Sequence, residues 1–166
     1  MSKTINNLTR EQAIVLSLIE ELRSIKIVNG YRTDLGALVE HWRVEKFTEE
    51  IPEAINVKDY DATNRENGGN YESPSLEIRI ELGCNGKSDA WKFCSDGMRD
   101  VMVRLGEIEE SFNEKFSCES FESVSHGILD MITTEGQGEA HVTIKINFVT
   151  ERFLIDDEEY SITVED

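Results

Sequence analysis

Basic residues are scarce in this sequence of 166 residues, which contains 17 Lys and Arg against 34 Asp and Glu and has a formal net charge of −17. Binding to nucleic-acid phosphates or to an anionic membrane surface requires clustered Lys and Arg, so this composition argues against both. Two interpretations of the acidic balance remain: self-repulsion that keeps a soluble protein dispersed, or a surface that nucleic acid passes without binding.

Cysteine is also rare, with three residues at widely spaced positions, Cys84, Cys94 and Cys118. An odd number at this spacing forms neither a disulfide framework nor a zinc-binding pattern, and it suits a reducing compartment. No apolar run approaches the length that spans a membrane, and the first residues lack the apolar segment of a signal peptide. We therefore expect a protein that is cytoplasmic where it is made.

The hydrophobic share of 39% and the charged share of 31% belong to a folded chain, because clear periodic segments accompany them. The length fits one domain with a core of its own. No repeat and no linker divides the chain. The sequence thus predicts a single domain over residues 1–166, with its core at residues 8–152 and an acidic C-terminal extension at residues 153–166.

Two segments show the strict alternation of apolar and polar residues that is typical of strands. In EAHVTIKINFVT, residues 139–150, the apolar side chains from Val142 to Phe148 fall on one face. LEIRIEL, residues 76–82, alternates in the same way. One apolar and one polar face indicate a sheet that is covered on one side only. The sequence therefore predicts an α+β fold, a mostly antiparallel β-sheet with two main helices packed on one face.

The first helix is predicted at residues 10–25, because apolar residues recur there at helical spacing and Thr9 and Gln12 have the spacing of a capping box. Weaker signals predict four further elements. These are a strand at 37–44 with Trp42 as its anchor, an extended run at 54–58, a strand across 116–133 and an edge strand at 161–164. The polar segment at 60–74 is predicted to be a long, mobile hairpin loop or flap.

The second helix is predicted to begin after Ser88 or Asp89, which act as N-cap, and to end near Asn113. Its apolar residues recur at spacings of three and four, a pattern that a coiled coil shares. Gly97 and Gly106 weaken a free-standing helix, so the pattern favours a helix that lies across the sheet. The stripe comprises Trp91, Cys94, Met98, Val101, Leu105, Ile108 and Phe112.

No motif for catalysis or cofactor binding is complete. GCNGKS, residues 83–88, resembles part of a phosphate-binding loop, but Glu81 stands where that motif requires glycine. The histidines His41, His126 and His141 belong to no nucleophile-elbow motif and to no metal-binding spacing. The sequence predicts a protein that is not an enzyme, with no cofactor and no metal ion.

Three segments, in their order, resemble those of a phage protein family. They are GYRTDLG at 30–36 after the first helix, LEIRIEL before the long helix, and ESVSHGILDMITTEGQGEAHVTIKINFVT at 122–150. Over about residues 8–152 the chain resembles the tail terminator proteins, also called tail completion or minor tail proteins, of long-tailed bacteriophages. The resemblance is carried by the order of elements, since none of these motifs is catalytic.

This resemblance implies a ring, usually a hexamer, that caps the finished tail tube, stops its polymerisation and docks the head–tail connector. The implied partners are copies of the chain itself, the major tail tube protein and the connector or neck protein, with no membrane. The implied location is the head-proximal end of the virion tail, after assembly in the host cytoplasm. DNA would pass through the lumen without specific binding, and an acidic lumen would repel its phosphates.

Contacts between copies are expected through paired strand edges or through spare apolar surface on the first helix. The polar hairpin segment, with Asn67 and Tyr71, is expected to order on contact with the tube. Arg32, Asp34 and Arg43 are candidate ion-pair residues for partner contacts, and solvated turn chemistry explains these three equally well.

Two other functions remain open for the chain. One is a head–tail connector or neck protein of similar size and fold. The other belongs to a different class, a small cytoplasmic ligand-binding module or enzyme with its pocket between the second helix and the sheet. A ring in solution favours the tail terminator, whereas a monomer that binds a nucleotide favours the second alternative.

Overall fold

The strands predicted from alternation lie at the centre of a six-stranded sheet in the computed structural model, which describes residues 2–43, 53–67, 71–148, 150–151 and 160–165. The elements in chain order are β1 (Ser2–Leu8), α1 (Arg10–Leu22), β2 (Val39–His41), β3 (Glu53–Asn67), β4 (Tyr71–Cys84), α2 (Ala90–Phe116), β5 (Cys118–Ile132), β6 (Gln137–Phe148), β7 (Thr150–Glu151) and β8 (Tyr160–Glu165).

The main sheet has the strand order β2-β3-β4-β6-β5. The short strand β7 pairs with the start of β4, next to the part of β4 that pairs with β6. Within the described residues, β2 and β3 are the only parallel pair of this sheet. Leu76 lies opposite Ile146 and Leu82 opposite Ala140, so the apolar residues of the two predicted strands share one face. The predicted α+β fold with a mostly antiparallel sheet is confirmed.

Helix α2 contacts β4, β5 and β6, and α1 packs beside it against α2, β2 and β8. Ile78 and Leu82 of the sheet and Val101 of α2 are fully buried in one core. A Cβ atom at Gly97 would lie 2.6 Å from Leu35 Cδ1, so glycine is what lets the helix come this close. Gly97, which would weaken an isolated helix, therefore allows α2 to pack closely against Leu35.

Helix α1 begins with the predicted capping box. Gln12 N donates to Thr9 Oγ1 at 3.3 Å, and Thr9 N donates to Gln12 Oε1 at 3.0 Å. The apolar side chains of α1 are all buried or half-buried, because α2 and β8 lie against the helix. The prediction that this helix offers spare apolar surface to a neighbouring copy is therefore wrong.

Helix α2 begins after Asp89, whose side chain accepts a hydrogen bond from Lys92 N at 3.0 Å. It ends at Phe116, almost one turn beyond the predicted end. The predicted stripe is buried or half-buried from Cys94 onward, but Trp91 in the first turn is 59% exposed, because Ala90 and Cys94 form the buried face of this turn. Among the described residues no helix is long and apolar enough to cross a bilayer.

The predicted strand at 37–44 is shorter in the structure. A 3-10 turn occupies Leu35–Ala37, and β2 has three residues. Trp42 leaves β2 with a left-handed φ of +54° and is 47% exposed, so it does not anchor the core as predicted. The end of the predicted strand, from Val44, lies outside the described residues.

The polar segment at 60–74 was predicted to be a long hairpin loop, but most of it forms strands. Strand β3 continues to Asn67, which is the register partner of Tyr71 at the start of β4. Backbone pairing needs no apolar side chains, so a polar composition gave no strand signal here. The tip of the hairpin, residues 68–70, lies outside the described residues.

The two ends of the described chain form an antiparallel ribbon that the sequence did not predict in full. The predicted edge strand at 161–164 is present as β8, but it pairs with β1 and not with the main sheet. Ile162 is 4% exposed and belongs to the same core cluster, and the Tyr160 ring lies 5.6 Å from that of Phe116. The core thus includes part of the predicted acidic extension.

Candidate interaction surfaces

The turn between α1 and β2 is anchored to α2 by one buried carboxylate. Asp100 is 1% exposed, and its Oδ2 atom accepts hydrogen bonds from Arg32 N, Thr33 N and Thr33 Oγ1, each at 2.9 Å. Asp100 lies on the buried face of the helix, so its hydrogen bonds hold the turn against the core. This contact joins residues that are almost 70 positions apart in sequence.

The predicted ion-pair residues of the same turn also have partners within the chain. Arg32 Nη1 lies 2.8 Å from Asp96 Oδ1, and Asp34 Oδ1 accepts a hydrogen bond from Ile27 N at 2.8 Å. Lys92 forms a second ion pair with Asp96. The hydrogen bond from Lys92, and then that from Arg32, lowers the pKa of Asp96 below its ordinary value, and partial burial opposes the shift. A contact of Arg32 or Asp34 with a partner stays a prediction.

The lowered pKa of Asp96 predicts an acid-sensitive contribution to stability. A depressed pKa stabilises the fold at pH values above the unfolded-state pKa of about 3.9, and this stabilisation is lost as the pH falls through the folded-state pKa. We expect the difference in unfolding free energy between wild type and Asp96→Asn to be constant above about pH 5 and to shrink below about pH 4. Urea titrations of both proteins across this range measure it, and a difference that grows on acidification would contradict the expectation.

The three remaining predicted contact residues lie in two places, Arg43 beside β2 and the other two at the end of the β3–β4 hairpin. The Arg43 side chain is 7% exposed and pairs with Glu40 at 2.5 Å, while Arg43 N donates to Asn56 Oδ1 at 2.8 Å. Asn67 and Tyr71 are register partners in the backbone pairing of β3 with β4. The structure does not bring these residues together with Arg32 and Asp34, and their contact with a partner stays a prediction.

The polar face of the main sheet carries a network of charges. Glu81 on β4 lies 2.7 Å from Lys58 Nζ and 3.2 Å from Arg79 Nε. Both helices lie on the opposite face, where the apolar residues of the same strands are buried. Because acidic and basic groups alternate here, this face is not uniformly negative.

One serine and one histidine meet on this face. The distance between Ser125 Oγ and His141 Nε2 is 3.3 Å. A nucleophile–base pair also needs an acid that orients the imidazole, but among the described residues no carboxylate forms a hydrogen bond with His141 Nδ1. Burial, and then the charge of Arg79, lowers the pKa of His141. The pair thus lacks the third member of a catalytic triad.

The loop between β4 and α2, which resembles part of a phosphate-binding loop, has its lysine engaged within the chain. Lys87 Nζ lies 2.9 Å from Glu53 Oε2 and 4.8 Å from the centre of the Phe93 ring. Gly86 has a φ of +73°, which forms the turn. A carboxylate beside the lysine disfavours a phosphate at this position.

The free cysteines have no exposed reactive thiol. Cys84 and Cys94 are buried against each other, and burial raises the pKa of the Cys118 thiol to about 11. The hydrogen bond with Cys94 lowers the pKa of Cys84, but this thiol is buried and out of reach of a substrate, so none of the three cysteines is an exposed nucleophile. Among the described residues no group of three or more His, Cys, Asp or Glu side chains could hold a metal ion.

The outer edge of β5, with the adjoining part of α2, exposes several large apolar side chains. Three register shifts, after Cys118, Ser123 and Ile128, interrupt the pairing of β5 with β6. Such bulges turn side chains outward and blunt a strand edge. The exposed residues are Met102, Val103, Val124, Ile128, Leu129 and Ile132, each between 39% and 52% exposed. We call this set the β5 patch.

A groove of about 170 Å³ opens beside the β5 patch, between α2 and the sheet. Its volume is below the roughly 300–1,000 Å³ of small-molecule sites, so it does not support the predicted pocket of a ligand-binding module. Neighbouring side chains are small at two positions, where Gly106 and Ser123 leave the groove open. The other lining residues are Met102, Leu105, Glu109, Phe121, Val142 and Ile144.

At the opposite edge of the sheet, Trp42 and Tyr60 form an exposed aromatic pair. Their ring centres are 5.7 Å apart, and the side chains are 47% and 41% exposed. Asp59 Oδ1 accepts a hydrogen bond from Trp42 Nε1 at 2.8 Å and lies 2.6 Å from His41 Nε2. Burial opposes a fall in the pKa of Asp59, but the bonds from His41 and Trp42 outweigh it and lower that pKa.

A left-handed φ at a bulky residue such as Trp42 costs about 1–3 kcal/mol and persists where surrounding contacts impose it. Here the contacts that impose it also leave the indole half exposed. The sequence could not reveal the aromatic pair or the β5 patch, because Trp42 and the apolar residues near Ile128 read as ordinary core positions.

No family model matches this chain, and no curated protein matches it either.

Proposed function

We propose that the chain is a structural assembly protein of a long-tailed phage, of the tail terminator type, which forms a ring at the head-proximal end of the tail tube. One observation carries this proposal. The main sheet has an open edge on each side of the described chain, β5 on one side and β3 beyond Val57 on the other. The proposal also draws on the resemblance of the sequence to that family.

Two different open edges favour a head-to-tail contact, in which one edge of each copy faces the other edge of its neighbour. Such contacts close into a ring when the rotation between copies divides a full turn. The exposed apolar side chains of the β5 patch supply apolar area along this edge of the sheet.

Assembly also agrees better than catalysis with the chemistry of the described residues. The one Ser–His contact lacks an orienting acid, and the lysine of the glycine turn is paired with Glu53. The net charge of −17 suits a lumen that repels DNA phosphates, so that the genome slides through without binding. A ring with a neutral or basic lumen would overturn this last point.

Light scattering coupled to size-exclusion chromatography tests the proposal on the full-length chain. We expect a species of about six times the 18.9 kDa chain mass, at least at high protein concentration. Electron micrographs of that species should show rings with a central opening. A chain that remains monomeric at every concentration would overturn the proposal, and so would a closed dimer.

A further inference from the structure

We propose that Trp42 of one copy inserts into the groove beside the β5 patch of the next copy, with Tyr60 packed against the rim of that groove. This inference rests on the proposed ring and specifies the contact that builds it. It assigns a role to two apolar surfaces that the core leaves uncovered among the described residues, the aromatic pair at one edge of the sheet and the groove at the other.

The aromatic side chains of Trp42 and Tyr60 project from the edge of the sheet into solvent. The backbone of Trp42 turns out of β2 with a φ of +54°, and its N–H donates to Val57 O at 3.0 Å. The indole is then fixed by Asp59 at 2.8 Å and by the edge of the Tyr60 ring. A preorganised aromatic side chain loses little conformational entropy on binding, and Trp and Tyr dominate the energetic centres of protein interfaces.

The groove is built to receive an apolar side chain. Leu105 and Phe121 form its sides, Gly106 and Ser123 leave it open, and Met102 at its rim is 42% exposed. A Cβ atom added to Gly106 meets no other atom within 4 Å. Methionine adapts its shape to an incoming ring and makes favourable contacts with it.

A second copy is the occupant that the observations favour. The pair and the groove lie at opposite edges of one sheet, beside β2 and β5, and a head-to-tail contact needs two such different surfaces on one chain. Copies that each have a net charge of −17 repel one another, so contact is least opposed where the surfaces are uncharged. The aromatic pair and most of the residues that line the groove are uncharged.

The contact is made by side chains more than by added strand pairing. Three bulges break the register of β5, so its edge offers only short runs of regular backbone groups. This refines the expectation from the sequence, which relied on paired strand edges. Insertion of an aromatic side chain needs no continuous register between copies.

The first test removes the indole. Trp42→Ala should weaken each contact about 30-fold or more, which corresponds to the loss of at least about 2 kcal/mol that defines an interface hot spot. The matched control is Trp91→Ala, since Trp91 is 59% exposed but lies in the first turn of α2, away from both surfaces. Light scattering over a concentration series should show the ring dissociating only in the Trp42 variant.

The second test fills the groove without touching the aromatic pair. Gly106→Leu places a side chain in open space, so the monomer should fold with an unchanged or higher Tm, as leucine also favours the helix. The ring should be lost, whereas Gly106→Ala should keep it. This variant tests the contact even if Trp42→Ala fails to fold.

The third test reports the direction of the contact. A chain with both Glu40→Cys and Val124→Cys, treated with a short bismaleimide, should give a ladder of covalent species up to the ring, because Glu40 lies two residues before Trp42 and its side chain is 37% exposed. Each single variant should give no more cross-linking than wild type. Dimers from a single variant would indicate a symmetric contact and overturn the inference. A ring that survives both Trp42→Ala and Gly106→Leu would overturn this contact alone, whereas a monomeric wild type would overturn the proposed function with it.

Discussion

Replacement of Asp100 by alanine is expected to lower the free energy of unfolding by about 3 to 5 kcal/mol, because each buried donor left without an acceptor costs about 1–3 kcal/mol. Asp100 Oδ2 accepts three hydrogen bonds from Arg32 and Thr33, and both Asp100 and Thr33 are nearly inaccessible to solvent. Water cannot replace the lost acceptor without opening the contact between the turn and α2.

Urea denaturation of the monomeric protein measures this loss, and two variants separate its causes. Asp100→Asn keeps one oxygen acceptor for the two backbone amides and should lose less stability than Asp100→Ala. Arg99→Ala, an exposed neighbour on the same helix, should change stability by no more than about 0.5 kcal/mol. If Asp100→Ala lost less than about 1 kcal/mol, the turn would not depend on this carboxylate.

Gly36→Ala is expected to lower the free energy of unfolding by about 2 to 3 kcal/mol, at the upper end of the range for overpacking. A Cβ atom at Gly36 would lie 2.6 Å from both Leu22 O and Arg23 O, where α1 ends. These are backbone atoms, which cannot swing aside as a flexible side chain can. Gly36 N also donates to Ile25 O at 2.9 Å, so the turn cannot withdraw without losing that bond.

Thermal unfolding of Gly36→Ala beside Gly106→Ala gives a matched comparison. The same substitution at Gly106 meets open space inside a helix and should raise stability by up to about 1 kcal/mol. Opposite signs at the two positions would establish that close packing, and not the loss of glycine itself, causes the effect. Equal losses at both would contradict this interpretation.

The elements predicted best are those whose signal lies within a few neighbouring residues. The Thr9–Gln12 capping box forms as predicted, because both partners belong to one helical turn. Strands β4 and β6 follow the alternation of LEIRIEL and EAHVTIKINFVT, because one buried face leaves a period of two in the sequence.

The failures concern residues whose environment is set by distant parts of the chain. Trp42 and Trp91 are large apolar residues at apparent core positions, but both are exposed. Trp42 leaves β2 with a left-handed φ, and Trp91 lies off the buried face of its helical turn. Strand β1 is polar and gave no pattern, and β8 was predicted as an edge strand without a partner. Pairing between β1 and β8 joins residues about 160 positions apart, so neither segment contains the information alone.

The candidate surfaces also divide into features with a local sequence signal and features set by distant parts of the chain. The sequence drew attention to Arg32, Asp34 and Arg43 as charged turn residues, and each has a partner within the chain. It could not reveal Asp100 as the acceptor for the turn. Nor could it reveal the β5 patch, because bulges in an edge strand leave no periodic trace.

The sequence by itself determined the fold class, the position of both helices and the face that each central strand buries, because the period of burial is a local property of helices and strands. The tertiary structure decided which charged residues anchor the turn to α2, which apolar residues stay uncovered, and which sheet edges stay open. These depend on where distant segments meet. For the same reason the aromatic pair and the groove, at opposite edges of one sheet, emerged as a possible contact only once the chain was folded.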